Sequence, residues 1–279
     1  MASEFPHTYE RTILKVEDLY VRFGDNLVLR DIDVEVKDVV RPDRITGQVI
    51  ALLGPSGKGK TQFFRRLAGL DAPSSGTVRI LDEKSGELIP VHPGLVGVVP
   101  QSYWIPEDMR VLANVTLPGR QAGMSRDEAE AKGLAYLKSF GLETHANKWP
   151  AQLSGGQRQR VAIIRQLMCS GHFLLMDEPF SGLDPIAKDR VSEIVCEVAN
   201  LDELNTIIIV THDPASAVAI ADTIWLLGQD IVDGKFVPGA RIQQTINLIE
   251  EGLAWRENIR ESVAFSDMVR RIHRDFRNL

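Results

Sequence analysis

A chain of 279 residues, 44% hydrophobic and 25% charged, has the balance of an ordinary globular protein and is long enough for one large domain or two small ones. No stretch approaches the roughly 18–20 uninterrupted apolar residues of a membrane-spanning helix, and the net charge of −6 argues against a nucleic-acid surface as the main business. The start, Met1-Ala2-Ser3-Glu4-Phe5, lacks the basic end and apolar core of a secretory signal, while Cys169 and Cys196 lack metal-ligand spacing and read as buried, reduced thiols of a cytosolic protein.

Residues 13–36 alternate in strand fashion and predict an antiparallel β layer. It is interrupted at Phe23-Gly24-Asp25-Asn26, a turn carrying an exposed-looking aromatic. Residues 38–46 read as a polar loop. Then Val49-Ile50-Ala51-Leu52-Leu53, a short apolar strand, runs into Gly54-Pro55-Ser56-Gly57-Lys58-Gly59-Lys60-Thr61, the pattern of a phosphate-binding P-loop. Its glycines let the backbone curl so that several N–H groups face inward, and the helix expected over residues 61–69 aims its positive end at the same place. Lys60 is expected to reach the β- and γ-phosphates and the Thr61 hydroxyl to sit on Mg²⁺.

Beyond this helix the sequence predicts a turn at 71–76, a strand at 77–81 and another at 95–99 that ends at Pro100-Gln101. Residues 102–165 then read as a mainly helical insertion, with Pro118, Gly119 and Pro150 as breaks. Strand texture returns at 173–176 and 207–210, with a helix over 185–199 between them. A last strand at 224–227 and a hairpin around Asp233-Gly234 close the core.

Strands that alternate with helices imply a parallel sheet, whose ligands bind beyond the carboxyl ends of the strands. Four apolar strands end in polar residues: at the Gly54 loop, at Gln101, at Asp177-Glu178 and at Thr211-His212. All four would converge on one phosphate site. Hydrolysis there needs charge neutralisation, a metal and a group that orients or deprotonates water. Asp177 is placed to hold Mg²⁺ directly or through water, and Glu178 to face the water as general base. His212 could donate to the γ-phosphate or hold the water, and Gln101 could ligate Mg²⁺ or sense the γ-phosphate. A second anion-binding surface is Leu153-Ser154-Gly155-Gly156-Gln157, with a hydroxyl and two glycines at a helix N-terminus. It implies either a second ligand or a second copy of the protein.

GPSGKGKT at 54–61, Gln101, LSGGQ at 153–157, FLLMDEP at 173–179, SGLD at 181–184 and His212 together resemble the ATP-binding cassette (ABC) ATPases, specifically the separate nucleotide-binding subunit of an ABC transporter. The resemblance spans about residues 13–235. It implies an α/β P-loop NTPase core with a mostly parallel sheet, an N-terminal antiparallel β layer and a helical insertion subdomain. Residues 1–245 would form the ATPase domain, with the helical subdomain at about 102–165, and 246–279 a C-terminal helical tail.

The resemblance further implies a head-to-tail dimer, either of identical chains or with a paired cassette subunit, that sandwiches two ATP molecules. One chain would offer Phe23, stacked on adenine, with Gly54, Pro55, Ser56, Gly57, Lys58, Gly59, Lys60, Thr61 and Gln62. The other would offer Ser154, Gly155, Gly156 and Gln157, with Asp184 crossing the interface. Implied partners are an integral membrane permease, docked near Gln101 through Tyr103 and Trp104, and a substrate-binding protein, with no nucleic acid. The location implied is peripheral, on the cytoplasmic face of the membrane, and the function is ATP-driven uptake of a small solute. The alternatives are a lipid or export system, or a soluble cassette ATPase acting on DNA or ribosomes. Against the family pattern, Phe23 replaces a commoner Tyr, and Lys58 adds a cation that is expected to be solvated. In the tail, Phe265, Met268, Val269, Ile272 and Phe276 fall on one helical face among Arg270, Arg271, Arg274 and Arg277. Such a stripe most often packs on its own domain, the other reading being contact with a partner or with lipid headgroups.

Overall fold

A computed structural model describes residues 5–42, 44–82, 84–256, 258–276 and 279. Asp43 of the 38–46 segment, Arg277 of the tail and the first four residues fall outside these.

The chain opens with two long antiparallel strands, β1 (Thr8–Phe23) and β2 (Asn26–Val40). Among the described residues they join β4 (Ser75–Asp82) and β5 (Glu87–Pro90) in a sheet of order β2-β1-β4-β5. The expected loop at 38–46 is corrected at its start, because Val39 and Val40 still pair with Tyr9 and Thr8. Asp38 and Val39 are only 4% exposed, so the ladder and the burial of Val39 override the polar composition there. Beyond them an isolated bridge joins Arg41 to Arg44.

The second sheet has the order β12-β9-β3-β8-β7-β6. Its parallel members are β3 (Gln48–Leu53), β6 (Val96–Val99), β7 (Phe173–Asp177), β8 (Thr206–Thr211) and β9 (Thr223–Gly228). The strand at 223–228 is not the last of the core: β12 (Arg241–Asn247) returns antiparallel along its edge. Between them β10 (Ile231–Val232) and β11 (Lys235–Phe236) form the hairpin expected at Asp233-Gly234.

Every residue of β3 and of β8 is buried, as a strand covered on both faces requires. Their side chains sort by parity. Ile50, Leu52, Ile208 and Val210 join Phe63, Phe64 and Leu67 of α1 (Lys60–Leu67) and the antiparallel sheet in one core. Ala51, Leu53, Ile207 and Ile209 point to the other core, shared with the remaining helices.

The helical segment holds α2 (Val111–Gln121), α3 (Arg126–Ser139) and α4 (Gly155–Leu167). α3 starts with a reciprocal capping box, Glu128 N–H to Ser125 Oγ at 3.3 Å and Ser125 N–H to Glu128 Oε2 at 2.8 Å. Pro118 and Gly119, expected as breaks, lie inside α2. Proline cannot bond the carbonyl four residues back, and that Asn114 carbonyl is taken by Arg165 Nη1 of α4 at 2.7 Å. Gly119 lies inside the helix with Met168 and Met124 packed against it, not in a turn.

After β7 come α5 (Pro185–Ala199), capped by Asp184, and α6 (Pro214–Ile220), capped by Asp213. The C-terminal α7 (Val263–Asp275) packs against α6 and buries Phe265, Met268 and Ile272. Cys169 and Cys196 are free and half-buried rather than fully buried, and burial raises both thiol pKa values, that of Cys196 to about 11.

Candidate functional site

β3, β8, β7 and β6 are neighbours in that order, so their carboxyl ends lie side by side. The P-loop, Thr211-His212, Asp177-Glu178 and Pro100-Gln101 therefore share one rim. At its centre the P-loop leaves β3 at Gly54, where a Cβ would come 2.4 Å from the Leu227 carbonyl oxygen. The loop enters α1 through Gly59, whose φ of +89° is left-handed and favours glycine, with the side chains of Leu29 and Val28 packed against it. No side chain caps α1, which leaves its first N–H groups directed at the mouth of the loop.

Lys60 is 8% exposed and crosses the loop, donating from Nζ to the carbonyls of Gly54 at 2.8 Å and Pro55 at 3.0 Å. Burial lowers its pKa, and the charges of Glu178 and Asp177 push it back up. Asp177 is the mirror case: burial and then the Glu178 charge raise its pKa, while Lys60 opposes them. The three groups thus form one electrostatic unit. Thr61 and Ser56 are exposed beside them.

Glu178 follows β7 with a φ of +47°, a backbone state that a glutamate holds only under constraint from its surroundings. The constraint is visible: its N–H donates to the Val210 carbonyl at 2.8 Å, and its own carbonyl accepts from Ser181 N–H at 3.1 Å. Its carboxylate pairs with His212 Nδ1 at 2.9 Å and accepts from the Thr211 hydroxyl at 3.3 Å. With an ionised carboxylate the Nδ1–H must donate, which orients the ring and leaves Nε2 facing away. Thr211 was expected only as part of a polar strand end, with no role of its own. Its signal was a hydroxyl placed where an otherwise apolar strand stops.

The remaining expected residues are more dispersed. Gln101 is exposed and makes no side-chain hydrogen bond to a described residue. Phe23 closes β1 at 53% exposure, with the Arg66 guanidinium 5.6 Å from its ring centroid. Gln62 accepts from that same Arg66 at 2.5 Å. Lys58 is not solvated as expected: its Nζ donates to Gln229 at 2.9 Å and lies 3.7 Å from the Phe236 ring centroid. Tyr103, expected as a partner contact, is half-buried and bonded within the chain, whereas Trp104 is 66% exposed. Asp184 is exposed and caps α5 by accepting from Ala187 N–H at 2.9 Å.

Ser154, Gly155 and Gly156 are exposed at the start of α4. Ser154 Oγ accepts from Gln157 N–H at 3.3 Å, and Gln157 Oε1 accepts from Ser154 N–H at 2.9 Å. Gln157 Nε2 lies 3.1 Å from His145 Nε2. None of these bonds reaches the P-loop. A Cβ added to Gly155 or Gly156 meets open space, so no described residue covers that surface.

A parallel sheet with a P-loop, an antiparallel β layer and a helical segment in which LSGGQ heads α4 define the ABC class of nucleotide-binding proteins. Residues 43–181 match the model of the ABC transporter family. The chain is 38% identical over 232 residues to the spermidine/putrescine import ATP-binding protein PotA of Pseudomonas aeruginosa, a match covering 81% of this chain and 60% of that protein. It is 35% identical over 228 residues to the glutamate transport ATP-binding protein GluA of Corynebacterium glutamicum, covering 79% and 88%. Among solved structures it matches cbiO1 of Clostridium perfringens, part of the ABC transporter complex cbiONQ, with a TM-score of 0.70 at 26% identity, covering 87% and 93%. The chain belongs to the ABC transporter family. It spans about 60% of the length of PotA-type relatives.

Proposed function

We propose that this chain binds and hydrolyses ATP as the motor subunit of a small-solute importer. It works as a head-to-tail pair of cassettes on the cytoplasmic face of a separate integral membrane permease, with a solute-binding protein as a further partner. No helix among the described residues is long and apolar enough to cross a membrane, which fits a peripheral subunit. The observation that carries the reading is the row of four strand ends, with Lys60 buried beside Asp177 and Glu178. The ATP-binding import subunits among its relatives support the uptake direction. The acidic balance of the chain disfavours the reading as a cassette acting on DNA or ribosomes.

In this reading Lys60 neutralises phosphate charge, and the N–H groups of the P-loop and α1 hold phosphate oxygens. Glu178 takes the proton of the attacking water, while His212 and Thr211 hold its carboxylate in place. Ser154, Gly155 and Gly156 of the second copy close the pocket. Magnesium fits the residues present. Thr61, Gln101 and Asp177 are all oxygen donors, as a hard cation requires, and the half-buried Asp177 carboxylate accepts no hydrogen bond from a described residue. Among the described residues no cluster of His, Cys, Asp or Glu could hold a metal alone, so phosphate oxygens would complete the set. Magnesium would supply charge neutralisation at the β- and γ-phosphates.

Glu178→Gln is the direct test. Steady-state ATPase activity should fall at least about 100-fold, while size-exclusion chromatography still shows an ATP-dependent dimer. Unchanged turnover removes Glu178 from its role.

A further inference from the structure

Tyr103 sits two residues beyond Gln101 with a φ of +45°. That left-handed turn sends its ring inward while the next residue, Trp104, points out at 66% exposure. The Tyr103 hydroxyl lies 2.9 Å from the Pro179 carbonyl oxygen and 2.9 Å from Nε2 of Gln159. A carbonyl can only accept and an amide nitrogen can only donate. The hydroxyl must therefore donate to Pro179 and accept from Gln159, and both of its partners depend on it. Burial drives its pKa far up, so the donor proton stays in place across the physiological range.

The partners are placed with consequence. Pro179 follows Glu178 directly, and Gln159, 5% exposed, lies two residues past Gln157 in α4. One hydroxyl thus ties together the segment after Gln101, the helix headed by Ser154 and the strand end that carries Glu178. In the composite-pocket reading above, on which this inference rests, Glu178 serves one ATP and Ser154 of the same chain serves the other. We propose that Tyr103 is a positioning residue that couples the two pockets of the dimer, by making α4 and the Glu178 strand end shift as one body.

The coupling is read from ATP hydrolysis against ATP concentration, at a protein concentration where the chain dimerises. Wild type should show a Hill coefficient above 1. Tyr103→Phe should bring it to about 1 and lower kcat by about 5–30-fold, the scale of losing one or two buried hydrogen bonds. Binding of a fluorescent ATP analogue to dilute monomer should change less than about twofold, since the hydroxyl touches no part of the P-loop. Gln159→Leu cuts the same link from the helix side and should reproduce the loss, and it carries the test if Tyr103→Phe does not fold. The double variant should be no worse than either single one, because both remove a single linkage. Trp104→Ala, one residue away, should leave the Hill coefficient alone. Wild-type cooperativity in Tyr103→Phe, additive losses in the double variant, or an equal loss of monomer binding would each overturn the proposal. A wild-type Hill coefficient of 1, with turnover independent of protein concentration, removes the composite pocket and the coupling together.

Discussion

Two helices of this chain offer an uncovered N-terminal end, and they are built in opposite ways. At α1 no side chain caps the helix, Lys60 is buried across the loop, and the charges of Asp177 and Glu178 at the end of β7 act on it. At α4 Ser154 and Gln157 cap each other, the flanking glycines face open space, and the nearby Arg158 is already paired with Glu107. The first end is an unfinished electrostatic site, with buried charges whose pKa values are strained in opposite directions. The second is complete as folded, and it can add to an anion site only by meeting a surface from outside the chain.

That contrast can be broken in three places. The largest effect is expected at α4: Ser154→Arg should reduce turnover by on the order of 100-fold or more, with ATP binding to the P-loop retained in equilibrium dialysis. A fully active Ser154→Arg chain would mean that the exposed end has no role in hydrolysis. Lys60→Ala should act on the other property, weakening ATP binding about 10–100-fold as a charge-assisted contact is lost, measured by calorimetry. If Lys60→Ala and Ser154→Arg affect binding alike, the two ends are not distinct.

The smallest effect sharpens the electrostatic half of the comparison. The Asp177 pKa is raised in the folded chain, so the folded state keeps this proton to higher pH than the unfolded one. Its contribution to stability is therefore full below the ordinary carboxylate pKa of about 4, and declines as pH rises through the folded value. Asp177→Asn should flatten the loss of thermal stability of nucleotide-free protein with rising pH. Ser154→Ala, which changes no charge, should leave that slope untouched while lowering stability by about 1 kcal/mol through the lost cap. A parallel pH profile for wild type and Asp177→Asn would show that Asp177 is not under strain.

Much of this was readable from residues alone where local chemistry and tertiary demand agree. The all-apolar runs of β3 and β8 can only be covered on both faces, and the polar residues that end them then had to meet at one rim. The helix expected over 185–199 is α5, whose start Asp184 and Pro185 mark by their own bonding. Reading failed where a distant residue changed the rules. Pro118 looks like a break until Arg165 takes the carbonyl that proline strands. β5 and β12 are edge strands whose partners, not their composition, make them strands. Lys58 looked solvated because Phe236, which lies over it, comes more than a hundred residues later. Tyr103 looked like a surface aromatic because nothing local announces a left-handed φ at a tyrosine.

The contacts of Lys58 also bear on how much disorder a ligand would have to remove. With Lys58 latched to Gln229 and to the ring of Phe236, and with Lys60 stitched across the root, a glycine-rich loop that would otherwise sample many shapes is held at both ends of its curve. Folding has already restricted part of that conformational freedom, so an arriving anion would have less disorder to remove and would keep more of its contact energy as affinity.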